Sequence, residues 1–401
     1  MAAASAAATL REEGFDGEVL IVSDDDHPPY ERPPLSKQLL ADDSKPLPTL
    51  VRHHSWYAEH EVELRLGTRA VSIDPGSQVV RLSDGEQVQY SALLLATGVR
   101  ARELPNSASS RMLTLRSVTD AVRLRERLAS ARQVLILGGG FIGCEAASTA
   151  IAMGKQVTIV ERTATLMEAA LGPAIGGVMT DLHRAAGVQV VTRSVVHFVE
   201  DTPSTTLVHT DRGTFEADLV IAGAGTRPNV ELAVDAGLRV EGGVVTDEFS
   251  QTTAPAIFAA GDVAAAYHPF YRTHLRVEHH DTAMRHGASA ARNMLGLNVP
   301  FNETHWFWSE QYGHSLQQVG RAGPADEVVV RGSLDALDFS AFWVREGRIM
   351  KVISLNRPKE VLATRRLLFA EHTVSDDQLR DESLALNRLV PRPVHTRREA
   401  S

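Results

Sequence analysis

The chain has 401 residues, 43% hydrophobic and 23% charged, with a net charge of -9 and one cysteine, Cys144. That length predicts two or three domains, because single cores stop growing near roughly 250 to 300 residues, and the composition excludes a disordered or fibrous chain. No run approaches the roughly 18 to 20 apolar residues of a membrane span, the acidic balance argues against nucleic acid as a partner, and a lone cysteine excludes a disulfide framework and suits a reducing compartment, so a cytoplasmic protein is expected.

The first predicted element is a helix over residues 1–14. MAAASAAATL lacks the basic residues of a secretory or transit leader and runs into the amphipathic LREEG. Val19-Leu20-Ile21-Val22 follows as a strand, ending near Asp24-Asp25-Asp26. An acid at the end of such a strand can accept hydrogen bonds from a nucleotide ribose. Asp25 is the candidate, with Asp24 and Asp26 as alternatives in register. Further on, Pro33-Pro34 gives a rigid approach to Lys37. His53, His54 and His60 fall in a helix expected to face solvent.

Two stretches align without a gap, Asp84 to Gly98 and Asp211 to Gly225. Each runs turn, strand, polar step, apolar strand, glycine, and each follows turn signals: Asp74-Pro75-Gly76 in one and Asp201-Thr202-Pro203 in the other. A short β-meander attached to each of two duplicated nucleotide units is expected. Between them lies the clearest unit. The apolar strand Val134-Leu135-Ile136-Leu137 leads into Gly138-Gly139-Gly140-Phe141-Ile142-Gly143 and a helix from Cys144 to Met153. Here Gly138 allows a tight turn, Gly140 admits a pyrophosphate close to the backbone, and Gly143 lets helix and strand approach, with phosphate on the helix N-terminus. A second strand, Val157-Thr158-Ile159-Val160, ends in Glu161, 23 residues after Gly138. That carboxylate suits a ribose 2′-hydroxyl and repels a 2′-phosphate, so NADH is preferred over NADPH. Arg162 follows at once and softens the preference.

The first copy has no such glycine turn. Laying Met1-Ala2-Ala3 over Phe141-Ile142-Gly143 puts Ala3 at the third glycine, so the first strand of that unit is expected to be missing. Ile257-Phe258-Ala259-Ala260-Gly261-Asp262 is a strand running into a glycine and an acid. His279 and His280 stand beside Glu278 and Asp281, but adjacent side chains diverge and no third ligand has usable spacing, so no metal is expected. Residues 299–401 change texture, with Trp306, Trp308 and Trp343, a strand-rich middle, a turn at Asp335-Ala336-Leu337-Asp338 and a tail after Val390 expected to be disordered.

Taken in order, Pro29-Tyr30-Glu31-Arg32-Pro33-Pro34-Leu35-Ser36-Lys37, Ala96-Thr97-Gly98, Gly138 to Glu145, Gly225-Thr226-Arg227-Pro228-Asn229 and Ala260-Gly261-Asp262 resemble the FAD-dependent NADH:ferredoxin or rubredoxin reductases. That group includes putidaredoxin reductase, dioxygenase reductase components and apoptosis-inducing factor. The resemblance covers nearly the full chain. It implies a glutathione-reductase-like α/β fold: two Rossmann-type nucleotide-binding domains plus an α+β C-terminal domain. In the division expected, the FAD-binding domain is split in sequence, its first segment over 1–109 and its second over 239–298. The NAD-binding domain is inserted over 110–238, and the reductase C-terminal domain covers 299–401.

The same resemblance implies site roles. Lys37 would lie near the flavin N5 and pair with Glu145, holding positive charge where reduced flavin gathers electron density. Asp262 would bond a ribitol hydroxyl, Arg102 would meet FAD phosphate through its guanidinium fork, Asp25 would hold the FAD ribose, and Trp308 would stand at the isoalloxazine edge. Arg32, Ala96, Thr97, Gly225 and Gly261 would complete the FAD contacts, with Phe141 and Ile142 at the NADH turn. No thiol sits in the loop of Ser36 and Lys37, which separates the chain from disulfide reductases. The implied function is to carry electrons from NADH through FAD to a ferredoxin or rubredoxin that supplies an oxygenase, as a monomer or homodimer. An acidic acceptor would dock on Arg357, Lys359, Arg365 and Arg366. The alternatives are a reductase of the same fold with another acceptor, monodehydroascorbate or quinone, or a flavin-deficient NAD-binding interaction protein.

Overall fold

The computed structural model describes residues 1–41, 48–104, 109–369 and 372–390, in two compact units, Met1–Glu303 and Thr304–Ser401. The tail expected after Val390 lies outside the described residues. The division falls after Glu303 rather than 298 because Phe301 belongs to the first unit. Its amide bonds Glu248 O at 2.7 Å and its ring stacks on His286 at 4.4 Å.

Within the first unit, the second nucleotide half is a five-stranded sheet. Its order is Gln189–Val191, Gln156–Val160, Gln133–Leu137, Leu219–Ala222, Met112–Leu113, with every pairing parallel. Unbroken apolar runs make such strands because both faces are covered. Val134 to Leu137 and Leu219 to Ala222 are all buried. The helix Phe141–Ala152 follows the central strand, and the meander Val196–Asp201, Thr206–Thr210, Gly213–Ala217 feeds Leu219–Ala222.

The first nucleotide half repeats this plan. A meander of Ala70–Asp74, Val79–Leu82 and Gln87–Gln89 precedes Leu93–Leu95, as the duplicated sequence predicts. Val19–Val22 pairs in parallel with Val62–Arg65, and Leu93–Leu95 with Ile257–Ala259. Among the described residues no strand joins these two pairs in the position that Gln133–Leu137 fills in the other half. Burial follows: Val19, Leu20, Val22, Leu93 and Leu94 are only half-buried, whereas their counterparts are mostly enclosed.

The helix Ala2–Glu12 is not a surface helix. Ala2, Ala4 and Ala6 through Leu10 are buried, and it lies on His280–Met294 so closely that a Cβ on Gly287 would stand 2.2 Å from Ala2 O. Its C-terminal bonds, Glu13 N to Thr9 O and Phe15 N to Leu10 O, recur as Met153 N to Thr149 O and Lys155 N to Ala150 O. That repeat sets Ala3 opposite Gly143, as the sequence overlay has it.

Two further features refine the division by sequence. Thr226–Pro228 pairs antiparallel with Val99–Ala101, a ribbon between the two halves. Ala233 and Leu238 then pack with Ile73, Val80 and Ile257. Residues 231–238 therefore join the first half, not the NAD half, because their apolar side chains are buried there. The second unit is an antiparallel sheet ordered Trp306–Gln311, His314–Gly320, Arg348–Leu355, Asp338–Arg345, Glu327–Ser333, with the turn expected at Asp335 to Asp338 closing a hairpin. Val361 and Leu367 of the helix Pro358–Leu367 share a core with Val319, Phe342 and Val352. No helix is long and apolar enough to cross a membrane, among the described residues.

Candidate functional site

The glycine turn after Gln133–Leu137 uses its glycines in three ways. Gly138 has φ +104°, and a Cβ there would meet Gly223 O at 2.4 Å. A Cβ on Gly143 would lie 2.2 Å from Gly138 O. Around Gly140, which caps the helix, a Cβ would meet nothing within 4 Å. The open face at Gly140 and the amides of the helix start form an anion cradle. Ile142 is 47% exposed beside it, and Phe141 is half-buried. Gly225, φ +90°, has open space at its Cα and accepts a bond from Arg102 N at 3.0 Å.

Glu161 braces this turn. Its Oε2 accepts from Gly139 N at 2.5 Å, and its Oε1 from Thr163 N and Oγ1 at 2.7 and 2.9 Å, which points the carboxylate at the glycine loop. Arg162 is exposed. Cys144 is fully buried, and burial pushes its thiol well above the ordinary range. It is packing, not a nucleophile.

The corresponding position in the first half is Ser23. Its amide bonds Arg65 O as Glu161 N bonds Val191 O, and its hydroxyl accepts Asp25 N at 3.2 Å as Glu161 accepts Thr163 N. Asp25 is therefore two residues past the expected place, a correction to the register. Its Oδ1 accepts from His27 N and pairs with His27 Nδ1, and its Oδ2 accepts from the Tyr30 hydroxyl. Burial raises the Asp25 carboxyl, but the Tyr30 and His27 bonds outweigh this and hold it below the ordinary range. Asp24 is exposed and pairs with Arg69 at 3.0 Å.

A second cluster gathers charge at the start of Ala2–Glu12. The Met1 amine is lowered to about 6, by burial first and then by Arg32. Arg32 presents open surface yet is hemmed in by protein atoms, so desolvation and Arg116 hold it below its ordinary range. Its Nη1 donates to Arg116 O at 3.1 Å, Arg116 Nη2 donates to Asp262 Oδ2 at 2.8 Å, and Arg116 Nε donates to Val99 O. Asp262 follows Gly261, φ +75°, whose amide donates to Nδ1 of the buried His286. Arg32 and Arg116 thus face one carboxylate, and a dinucleotide diphosphate fits that excess of positive charge. Arg102, the expected phosphate ligand, has an exposed side chain just past the Val99–Ala101 strand, and Arg116 stands in the cluster instead. Thr97 bonds Asn229 O, and Asn229 Nδ2 returns a bond to Thr97 O, so the Ala96-Thr97-Gly98 and Gly225 to Asn229 motifs lock together.

The third grouping is Lys37 with Glu145. Lys37 Nζ lies 2.8 Å from Glu145 Oε2, with the lysine 15% and the glutamate 4% exposed. Pro33–Ser36 forms one turn of 3-10 helix that aims Lys37 back, its Nζ also donating to Pro33 O. The Ser36 hydroxyl donates to the same Oε2, and Thr149 Oγ1 donates to Ser36 O.

In the second unit Trp308 is half-buried and stacks on Trp306 at 4.8 Å. Arg357, one of the four expected docking cations, is taken by Asp338, Glu360 and Glu382, and Arg365 donates to Thr304. Lys359 and Arg366 remain exposed on one face of the helix with Leu362, 59% exposed, between them. His53 caps its own helix and His60 stacks on Trp56. Sequence reasoning missed Arg116, Ser23 and His286, which carry no local motif. Thr149 carried a signal, four residues after Glu145 on one helix face.

The family model for pyridine nucleotide-disulphide oxidoreductases matches residues 1–287, and one for the reductase C-terminal domain matches 306–390. The chain is 36% identical over 389 residues to the ferredoxin–NAD(+) reductase component of the anthranilate 1,2-dioxygenase system of Burkholderia cepacia, covering 96% of each. Among solved structures, the ferredoxin reductase for the CYP199A2 system of Rhodopseudomonas palustris superposes with a TM-score of 0.93 at 32% identity, over 97% of both chains. The reductase of the covalent putidaredoxin reductase–putidaredoxin complex gives 0.91 at 34%, over 97% of this chain and 95% of that one.

Proposed function

Because the chain belongs to the pyridine nucleotide-disulphide oxidoreductase family, in its ferredoxin reductase branch, we propose that it is an FAD-dependent enzyme that passes electrons from NADH to a small iron–sulfur protein, ferredoxin or rubredoxin, which supplies an oxygenase. The carrying observation is the largely enclosed Lys37–Glu145 pair, whose lysine comes from a loop that holds Ser36 and no thiol. FAD, when bound, would supply the conversion of a two-electron hydride into single electrons, which a dithiol relay would not. That loop holds no cysteine to relay electrons, which supports an acceptor outside the chain.

The chain's own residues do the rest. Arg32 and Arg116 would offset the FAD diphosphate, Asp262 would receive a ribitol hydroxyl, and Asp24, unlike the turn-bound Asp25, has its carboxylate at the surface beside Ser23, where it would meet the ribose. The turn at Gly140 holds the NADH diphosphate, and Glu161 disfavours a 2′-phosphate. Lys37 would keep a cation where electron density collects, in a setting enclosed enough to weaken screening by water. Lys359, Leu362 and Arg366 make a basic face with an apolar centre, suited to an acidic acceptor. The single buried cysteine supports a cytoplasmic site of action.

The test is a visible spectrum of the purified chain, then anaerobic titration with NADH and NADPH, then reduction of a ferredoxin or rubredoxin. A flavin band bleached by NADH, poorly by NADPH, with electrons reaching the acceptor, is expected. A chain that stays colourless with added FAD refutes the enzyme reading.

A further inference from the structure

We infer that Ser36 is a positioning residue that seats the Glu145 carboxylate against Lys37; this rests on the reductase reading above. Two donors converge on a single oxygen, since Ser36 Oγ lies 2.5 Å and Lys37 Nζ 2.8 Å from Glu145 Oε2. Ser36 is 2% exposed and Glu145 4%, so water has little access to replace a donor that is removed. The serine is itself held. Thr149, one turn beyond Glu145 on the helix Phe141–Ala152, donates through its hydroxyl to Ser36 O at 2.8 Å. Glu145 and Thr149 therefore grip the two ends of one residue from one helix face, the carboxylate taking its hydroxyl and the threonine its carbonyl.

This arrangement does something a lone ion pair does not. A carboxylate with one cationic partner can swing about its last torsion, and a flexible lysine follows it. A second donor on the same oxygen fixes the carboxylate, so the ammonium is held at one place. The place matters because electrostatic help at a reacting centre depends on charge already being aimed before reaction. Ser36 acts through Glu145 rather than by touching either cofactor.

The experiment uses the full-length FAD-loaded chain and follows flavin bleaching by NADH in anaerobic stopped flow. Ser36→Ala is expected to lower the reduction rate at saturating NADH about tenfold, the loss of one hydrogen bond to a charged group, with half-saturating NADH unchanged. In a Glu145→Gln background the same change is expected to add nothing, because both act through one carboxylate. A wild-type rate in Ser36→Ala, or an equal extra loss in the Glu145→Gln background, overturns the inference. Should Ser36→Ala fail to keep FAD, Ser36→Thr and Ser36→Val are compared, two side chains of one shape that differ in the hydroxyl. Faster reduction in the threonine variant supports the role, and equal rates overturn it. A wild-type chain that NADH does not bleach removes the reductase reading instead, so the two failures are distinguishable.

Discussion

Replacing Gly143 by alanine puts a methyl carbon 2.2 Å from Gly138 O and 3.2 Å from Ile136 Cγ2. Neither neighbour yields easily, one being backbone and the other a buried β-branched side chain. The helix Phe141–Ala152 has to withdraw by about 1 Å before the contact is tolerable. Overpacking of this kind costs about 1–3 kcal/mol, which lowers Tm by about 2–4 °C per kcal/mol in a unit of this size. The same withdrawal carries the helix amides away from the NADH diphosphate, and a misplacement of about 1 Å is worth up to about a hundredfold. Gly140→Ala is the paired perturbation. Its methyl meets nothing within 4 Å and its φ of -76° suits alanine, so Tm should stay within about 1 °C of wild type. That methyl nonetheless stands where a diphosphate approaches, so NADH binding should fall at least about tenfold. Thermal unfolding and anaerobic NADH titration separate the two. Equal Tm losses in both variants, or wild-type NADH half-saturation in Gly140→Ala, refute the assignment.

Three further outcomes follow from the site. His286 is fully enclosed, with Nδ1 accepting from Gly261 N and Nε2 facing Ser250, and burial lowers its pKa from 6.5 to about 4. Its neutral form is favoured in the fold, so stability is full above pH 6.5 and lost as pH falls toward 4, by about 3 kcal/mol in all; urea midpoints at about pH 7 and about pH 4.5 should differ less in His286→Gln than in wild type. Glu161→Gln removes the negative charge beside the exposed Arg162 and should narrow the NADH over NADPH preference about tenfold, read as the ratio of the two flavin-bleaching half-saturations. Lys359→Glu with Arg366→Glu should leave bleaching by NADH unchanged while slowing acceptor reduction and removing its salt dependence, whereas an unchanged salt slope would place docking elsewhere.

Local chemistry alone determined much of this protein. Unbroken apolar strands, three glycines at fixed spacing and Glu161 at the end of the next strand specify a dinucleotide turn, because backbone sterics, helix dipoles and ribose hydroxyls act within a few residues of one another. The two meanders were legible for the same reason, and the gap-free alignment of Asp84 to Gly98 with Asp211 to Gly225 predicted their pairing. The Lys37–Glu145 pair was legible only through resemblance, since 108 positions separate the partners. What tertiary structure decided was register and charge balance. Ser23 rather than Asp25 matches Glu161, because strand pairing to Arg65 sets the count and three acids in a row cannot. Arg116 reaches Asp262 while Arg102, the expected phosphate ligand, is exposed, and Arg357 is consumed by three carboxylates, because the freedom of a long cation is spent by whichever anions the fold brings near. Residues 231–238 join the first half because burial of Ala233 and Leu238 depends on which sheet is adjacent, and adjacency is a property of the folded chain.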